Sequence, residues 1–123
     1  MGLDMFLYCK NSEESFSEIG YWRKANHIHN WFIRNQVKDN CKPIDVNLDE
    51  LKELKSLCSL VLNSRSLEHS LDVAMAHLPP LAGFFFGSTD IDDWYYNQTM
   101  NTIDIINKCE ESGKTNFIYQ ASW

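Results

Sequence analysis

The hydrophobic positions along the first part of the chain predict one strand followed by one helix. Residues 3–8 form a short apolar and aromatic run, which is typical of an opening strand. Residues 11–17 are polar and rich in Ser and Glu, which indicates a surface loop. Residues 21–32 repeat apolar side chains at helical spacing and predict a helix. Its buried stripe consists of Tyr21, Ala25, Ile28 and Phe32.

Two further helices are predicted in the middle of the chain. Residues 37–44 form a polar connection, which contains Pro43. A helix begins at Asn47, because Asn47 and Glu50 have the spacing of a capping box. Its apolar face comprises Leu48, Leu51, Leu54, Cys58, Val61 and Leu62. A shorter helix over residues 66–77 ends at Pro79 and Pro80, since proline does not continue helical backbone.

The last part of the chain predicts a strand, a long helix and a closing strand. Three consecutive phenylalanines at 84–86, preceded by Gly83, indicate a strand that is buried on both faces. Thr89 or Asp90 caps a long helix that ends at Gly113, and residues 116–123 alternate as a strand does. The chain is therefore predicted to be a single α+β domain over residues 1–123. About three strands form a small antiparallel sheet that packs with three to four helices.

Composition and charge exclude several classes of protein. The formal net charge of −6 argues against binding to bulk nucleic acid or to an anionic membrane, because both need a basic surface. No apolar run approaches the roughly 20 residues of a membrane helix. The beginning of the chain lacks the basic and apolar segments of a signal peptide. Widely spaced cysteines predict free thiols in a reducing cytoplasm. They are Cys9, Cys41, Cys58 and Cys109.

Two aromatic blocks, at residues 21–32 and 83–96, indicate a binding site. Ten of the 16 aromatic residues lie in these blocks among cations, amides and hydroxyls, which is more polar company than a plain core needs. Aromatic faces beside fixed polar groups suit a flat, anionic ligand. The candidate ligand residues are three stacking rings, three phosphate-binding groups and three orienting groups. The stacking rings are Trp22, Trp31 and Tyr95. The phosphate-binding groups are Arg23, Lys24 and His27, and the orienting groups are Asn26, Ser88 and Thr89.

Each part of this hypothesis has a structural alternative. The predicted helix places Arg23, His27, Asn30 and Arg34 on one face, which is either a phosphate-binding surface or a solvated face. Trp22 and Trp31 either stack on a nucleotide base or belong to the hydrophobic core. In residues 87–90 the polar side chains either bind a ligand or simply cap the next helix.

No catalytic residue, metal site or cofactor is predicted. His27 and His29 are two residues apart and diverge on a regular helix, so they cannot hold one metal ion together. Ser88 lies in Gly-Ser-Thr and not in the Gly-x-Ser-x-Gly of a nucleophile elbow. Nothing in these patterns requires an enzyme.

Several motifs also carry a resemblance. They are Met1-Gly2-Leu3-Asp4-Met5, Tyr21-Trp22-Arg23-Lys24-Ala25-Asn26-x-Ile28-His29-x-Trp31-Phe32, Gly83-Phe84-Phe85-Phe86-Gly87-Ser88-Thr89-Asp90 with Asp93-Trp94-Tyr95, and Tyr119-Gln120-Ala121-Ser122-Trp123. In these motifs the chain resembles a family of small, functionally unassigned proteins from bacteriophages and prophages. The resemblance spans the whole chain and implies a source rather than a chemistry. Small phage accessory proteins often neutralise host defences, by binding a host protein or by sequestering a nucleotide signal.

Three functional hypotheses follow from the residues and the resemblance. The first is a counter-defence protein that sequesters a small anionic, nucleotide-derived immune signal, such as a cyclic nucleotide, in the host cytoplasm. A homo-oligomer would enlarge its pocket. The second is an inhibitor that binds a host defence protein directly through an aromatic–acidic surface around residues 92–96. The third is a small nucleotide hydrolase.

Overall fold

The computed structural model of the chain describes residues 2–34 and 42–123. Its elements in chain order are β1 (Asp4–Lys10), β2 (Phe16–Arg23), α1 (Asn26–Phe32), β3 (Ile44–Asn47), α2 (Leu48–Asn63), α3 (Ser70–His77), α4 (Asp93–Glu111) and β4 (Asn116–Ser122). The predictions for Cys41 and for most of the connection at 37–44 lie outside the described residues. Within the described ranges no helix is both long enough and apolar enough to cross a bilayer.

The four strands form one antiparallel sheet in the order β2-β1-β4-β3. Side chains along β1 alternate between the two faces, so that Met5, Leu7 and Cys9 are buried while Phe6 and Tyr8 are partly exposed. The helices pack against the buried face. The predicted α+β fold is confirmed, with a four-stranded sheet where about three strands were expected and with four helices.

The core between the sheet and the helices is held by aromatic contacts and by a hydrogen bond to Thr102 of α4. Tyr119 of β4 stacks on Phe32 of α1, with the ring centroids 3.9 Å apart. Trp22 of β2 donates its indole N–H to the hydroxyl of Thr102 at 2.9 Å, and Thr102 donates in turn to the carbonyl oxygen of Gln98. The buried indole N–H of Trp22 and the hydroxyl of Thr102 are therefore both satisfied, as a close-packed interior favours.

The predicted helix over residues 21–32 is wrong in its first part. Tyr21, Trp22 and Arg23 end strand β2, where Tyr21 pairs with Phe6 and Trp22 with Met5. Helix α1 begins only at Asn26, after Lys24 takes a φ of 56°. The apolar repeat at 21, 25 and 28 fits helical spacing, but the sheet pairing outweighs this short pattern. Arg23 therefore does not share a helix face with residues 27, 30 and 34.

The predicted strand over residues 83–86 is also wrong. These residues form a turn in which the backbone N–H of Phe86 donates to the carbonyl oxygen of Gly83 at 3.2 Å. Only Phe86 is buried, whereas Phe84 and Phe85 are exposed. A short apolar run between glycines is compatible with either a strand or a turn, and no neighbouring strand is available to pair with this one among the described residues.

Several helix ends agree with the sequence signals, and others shift by a few residues. Asn47 and Glu50 form the expected capping box at the start of α2. The cap of α4 is Asp92 instead of Thr89 or Asp90, and its carboxylate accepts from the backbone N–H of Tyr95. Helix α3 begins at Ser70 instead of 66. Gly113 follows α4 with a φ of 72°, the left-handed conformation that ends many helices.

Candidate functional site

The nine predicted ligand residues do not converge on one cavity. Trp22 is fully buried, with its indole N–H bonded to Thr102, and it packs edge-on against Phe32. Arg23, the next residue, points to the opposite face of the sheet and pairs with Asp4 at 2.6 Å. The alternation of β2 thus separates the first proposed stacking ring from the first proposed phosphate-binding group.

His27 and Tyr95 do lie together, but inside the core. Their rings stack with centroids 4.0 Å apart, and His27 Nε2 lies 2.9 Å from the hydroxyl oxygen of Thr99. That hydroxyl donates its proton to the carbonyl oxygen of Tyr95, so His27 Nε2 must donate to Thr99. Burial lowers the pKa of His27 to about 3, because the charged imidazolium would lose its hydration. A neutral, buried imidazole is a poor phosphate ligand.

Arg23 belongs to a small polar cluster on the strands. Asp4 accepts a hydrogen bond from the Tyr21 hydroxyl at 2.7 Å and another from Arg23 at 2.6 Å. These two donors, Tyr21 first and Arg23 second, lower the pKa of Asp4 below its usual value. The guanidinium is thus already engaged by a carboxylate.

Trp31 and Arg34 line a small pocket at the end of α1. The Arg34 guanidinium lies over the Trp31 ring, 3.8 Å from its centroid. The pocket is about 150 Å³ and is lined also by His27, Asn30 and residues 77–79. Sites that bury a small organic ligand usually measure about 300–1,000 Å³, so this pocket is too small to enclose a nucleotide.

Asn26 is the predicted residue with the most informative contacts. Its side chain is buried at the start of α1, and its nitrogen donates to the carbonyl oxygens of Phe86 at 3.1 Å and Ser88 at 2.9 Å. Its side-chain oxygen accepts from the backbone N–H of Leu81 at 3.0 Å. One amide thus ties together three points of the segment that joins α3 to α4.

The same segment is held at two further points. The Tyr95 hydroxyl donates to the carbonyl oxygen of Leu78 at 2.8 Å, and the Asn30 side chain donates to that of Pro79 at 3.0 Å. Ser88 Oγ accepts from the backbone N–H of Asp90 at 2.9 Å, while Thr89 is exposed. Residues 78–90 contain no helix or strand, yet side chains of α1 and α4 fix their backbone repeatedly. This segment is preorganised.

At the centre of the segment 78–90 lies a turn, residues 83–86, which we call the Phe turn. Phe84 is 83% exposed and Phe85 is 49% exposed, with their rings in contact edge-to-face at 5.4 Å. Phe86 is buried and packs edge-on against His29 and Trp123. A Cβ on Gly83 would lie 2.5 Å from the Phe86 ring, so only glycine allows this ring to fold back under the turn.

The backbone of the Phe turn is strained at Phe85. Its φ of 60° lies in the left-handed region, which costs a residue other than glycine roughly 1–2 kcal/mol. Exposing a phenylalanine rather than burying it forgoes about 1.5–3 kcal/mol more. Unfavourable features held in place by a rigid surround occur typically at functional sites.

Acidic residues follow the Phe turn along the same exposed segment. Asp90, Asp92 and Asp93 are exposed, and Asp93 forms an ion pair with Arg65. Trp94 is 50% exposed, but Tyr95 and Tyr96 are buried. The aromatic–acidic surface expected around residues 92–96 therefore retains Trp94 and loses its two tyrosines to the core.

The exposure of Phe84 and Phe85 was not predicted from the sequence. The available signals were Pro79 and Pro80 upstream and the flanking glycines, which favour a turn over a strand.

Comparisons with known protein families, with curated proteins and with solved structures find no match to this chain.

Proposed function

We propose that this protein is a binding module that docks on another protein by inserting Phe84 and Phe85 into an apolar pocket. The observation that carries the proposal is the exposure of both rings at the tip of a turn whose flanking backbone is held by Asn26 of α1. A preformed aromatic anchor loses little conformational freedom on binding, which favours affinity. Large aromatic residues are also the usual hot spots of protein interfaces.

Charge indicates the surface that such a partner presents. The carboxylates of Asp90 and Asp92 follow the Phe turn, and the whole chain carries a net charge of −6. An apolar pocket surrounded by lysines or arginines would complement the rings and the carboxylates together. In view of the resemblance to phage proteins, a host defence protein is the partner that we propose, in the cytoplasm. Free, buried thiols at Cys9, Cys58 and Cys109 support that compartment.

The sequestration of a nucleotide signal is less well supported. Of its proposed stacking rings, Trp22 and Tyr95 are buried, with their polar atoms bonded inside the protein. Of its phosphate-binding groups, Arg23 pairs with Asp4 and His27 is a buried, neutral imidazole. The nucleotide hypothesis stays a prediction, and so does the hydrolase hypothesis.

The test compares three immobilised proteins against a lysate of bacteria in which defence systems are active. They are the unaltered chain, the double variant Phe84→Ser with Phe85→Ser, and a matched control, Leu71→Ser with Met75→Ser. The control residues on α3 are 58% and 54% exposed, so it removes a similar exposed apolar area elsewhere. We expect a polypeptide that the unaltered chain and the control retain and that the Phe variant loses.

The retained polypeptide is then purified and titrated by calorimetry. Phe84→Ala is expected to weaken its binding about 30-fold, which corresponds to a hot spot of about 2 kcal/mol. Equal binding by the Phe variant contradicts the proposal. The proposal is also contradicted if a nucleotide raises the melting temperature of the protein and is recovered chemically unchanged after heat denaturation. Sequestration would then be the activity.

A further inference from the structure

The face of the sheet opposite the helices carries its own pattern of side chains. Cross-strand pairs share a face, so the registers of β1 with β2 and β4 identify its members. We call them the outer face: Asp4, Phe6, Tyr8 and Lys10 on β1, Phe16, Glu18, Tyr21 and Arg23 on β2, and Ile118 and Gln120 on β4. The four helices bury their apolar residues against the other face, in one core that includes Met5, Leu7 and Tyr119.

The outer face is apolar at its centre. The Phe6 ring lies 5.2 Å from the Tyr21 ring and 6.1 Å from the Tyr8 ring, measured between centroids. Beside them is an open cavity of about 380 Å³, lined by Tyr8, Phe16, Pro43, Ile118 and Gln120. An aromatic centre on an exposed sheet face resembles the surfaces by which sheets pack on another layer.

We propose that the outer face packs against the outer face of a second copy of this chain. The order of side chains along β1 is acid, aromatic, aromatic, base: Asp4, Phe6, Tyr8, Lys10. A second β1 that crosses in the reverse direction places Lys10 opposite Asp4 and Tyr8 opposite Phe6. The strand is thus complementary to itself about a two-fold axis perpendicular to the strands, and its charges lie at the rim of the contact.

The neighbouring strand fits the same axis. Reversal of β2 over its own copy places Arg23 opposite the ring of Phe16, and Tyr21 opposite the carboxylate of Glu18. A two-fold axis parallel to the strands would instead bring β2 of one copy over β3 of the other. Asp45 of β3 pairs with Ile118, so it also lies on the outer face, and this axis would set Glu18 opposite Asp45. Two facing carboxylates disfavour that arrangement.

The small size of the face limits the expected affinity. Three strands of seven or eight residues and the four-residue β3, about 4.8 Å apart and rising about 3.4 Å per residue, give a flat area of roughly 400 Å² per copy. Two such faces bury roughly 800 Å² together, which is below the about 1,000 Å² of a stable specific interface, so we expect a weak dimer with a Kd on the order of 10–100 µM. The Phe turn is anchored to α1 on the helical side, so the dimer would present two Phe turns. Dimer formation itself does not depend on their proposed function.

The test is charge complementation by sedimentation velocity over a concentration series. Lys10→Asp places two carboxylates opposite each other, and Asp4→Lys places two lysines opposite each other. Each variant alone is expected to dimerise at least about tenfold more weakly than the unaltered chain, because facing like charges are unfavourable. An equimolar mixture of the two variants restores both opposite-charge pairs and is expected to recover the dimer. Lys52→Asp on α2, an exposed residue of the helical side, is the control of equal charge change.

A second variant keeps the test decisive if Asp4→Lys perturbs the fold through Arg23 and Tyr21. Tyr8→Glu places a charge in the apolar centre and is expected to abolish the dimer while the melting temperature stays close to that of the unaltered chain. An unaltered chain that remains monomeric throughout the series overturns the proposal. So does a dimer that Lys10→Asp and Tyr8→Glu both leave intact, since the contact would then lie elsewhere.

Discussion

The side-chain nitrogen of Asn26 lies 3.1 Å from the carbonyl oxygen of Phe86, although 60 positions separate the two residues in the chain. Through this bond the first residue of α1 holds the last residue of the Phe turn. The other half of the same amide accepts from Leu81, so the turn is fixed on both sides by one side chain. Asn26 was expected to orient a ligand, and its observed contacts orient the protein's own segment.

Asn26→Asp is expected to loosen this segment. The carboxylate cannot donate to the carbonyl oxygens of Phe86 and Ser88, which then lie beside a negative charge in a buried place. We expect a loss of about 2–4 kcal/mol in the free energy of unfolding and faster amide hydrogen exchange over residues 81–88. Asn97→Asp, the same chemical change at an exposed position of α4, should cost less than about 0.5 kcal/mol. Unchanged exchange over 81–88 would show that Asn26 does not hold the segment.

Phe85→Gly is expected to stabilise the isolated protein by about 0.5–1 kcal/mol, because glycine adopts a positive φ without strain. The same variant should lose affinity for the proposed partner. The matched control is Phe84→Gly, since Phe84 is not among the residues with positive φ and gains no such relief. Urea denaturation of the three proteins measures the difference. A destabilised Phe85→Gly would mean that packing of the ring outweighs the backbone strain.

His27 is expected to make folding stability depend on pH. Its pKa falls from the ordinary 6.5 to about 3 in the folded protein. Below pH 6.5 the unfolded chain therefore takes up a proton that the folded protein refuses, so stability falls as the pH falls. Between pH 7 and pH 4 we expect a loss of roughly 3 kcal/mol from this residue.

His27→Gln isolates that contribution, because the glutamine amide can still donate to Thr99 but does not titrate. Denaturant titrations at both pH values compare it with the unaltered chain, and the titrations of other groups cancel in the comparison. Equal losses of stability in the two proteins would show that His27 is not the residue responsible.

Thr102→Val is expected to cost roughly 1–3 kcal/mol, because it leaves the buried indole N–H of Trp22 without its acceptor. Thr102→Ser keeps the hydroxyl and should cost less, although it removes a methyl group. Thermal unfolding followed by tryptophan fluorescence ranks the two variants. If serine proves the more harmful replacement, methyl packing matters more here than the hydrogen bond.

Much of the fold follows from local patterns. The capping box at Asn47 and the alternation of β1 and β4 are determined within a few residues, so they are visible in the sequence. Strand β2 is not. Its register against β1 shifts beside Leu7, which breaks the alternation that identifies a strand, and its end carries apolar residues at helical spacing.

The site was less predictable, because it depends on contacts between distant residues. The sequence drew attention to both aromatic blocks, but three consecutive phenylalanines do not reveal which ring is buried. Phe86 is buried because His29 and Trp123 receive it, and both lie far away in the chain. In the same way, nothing near Arg23 in sequence indicates that Asp4 lies opposite it across two strands.

The irregular register of β2 has a consequence for solubility. An edge strand exposes backbone groups that can template the addition of further chains, which is how fibrils grow. Strand β2 occupies one edge of the sheet. Its register against β1 shifts between Leu7 and Tyr8, as at a β-bulge, and Glu18 and Arg23 place charges along the strand. We expect concentrated solutions of this protein to resist amyloid-like stacking, and removal of the bulge to create a fibril-prone variant.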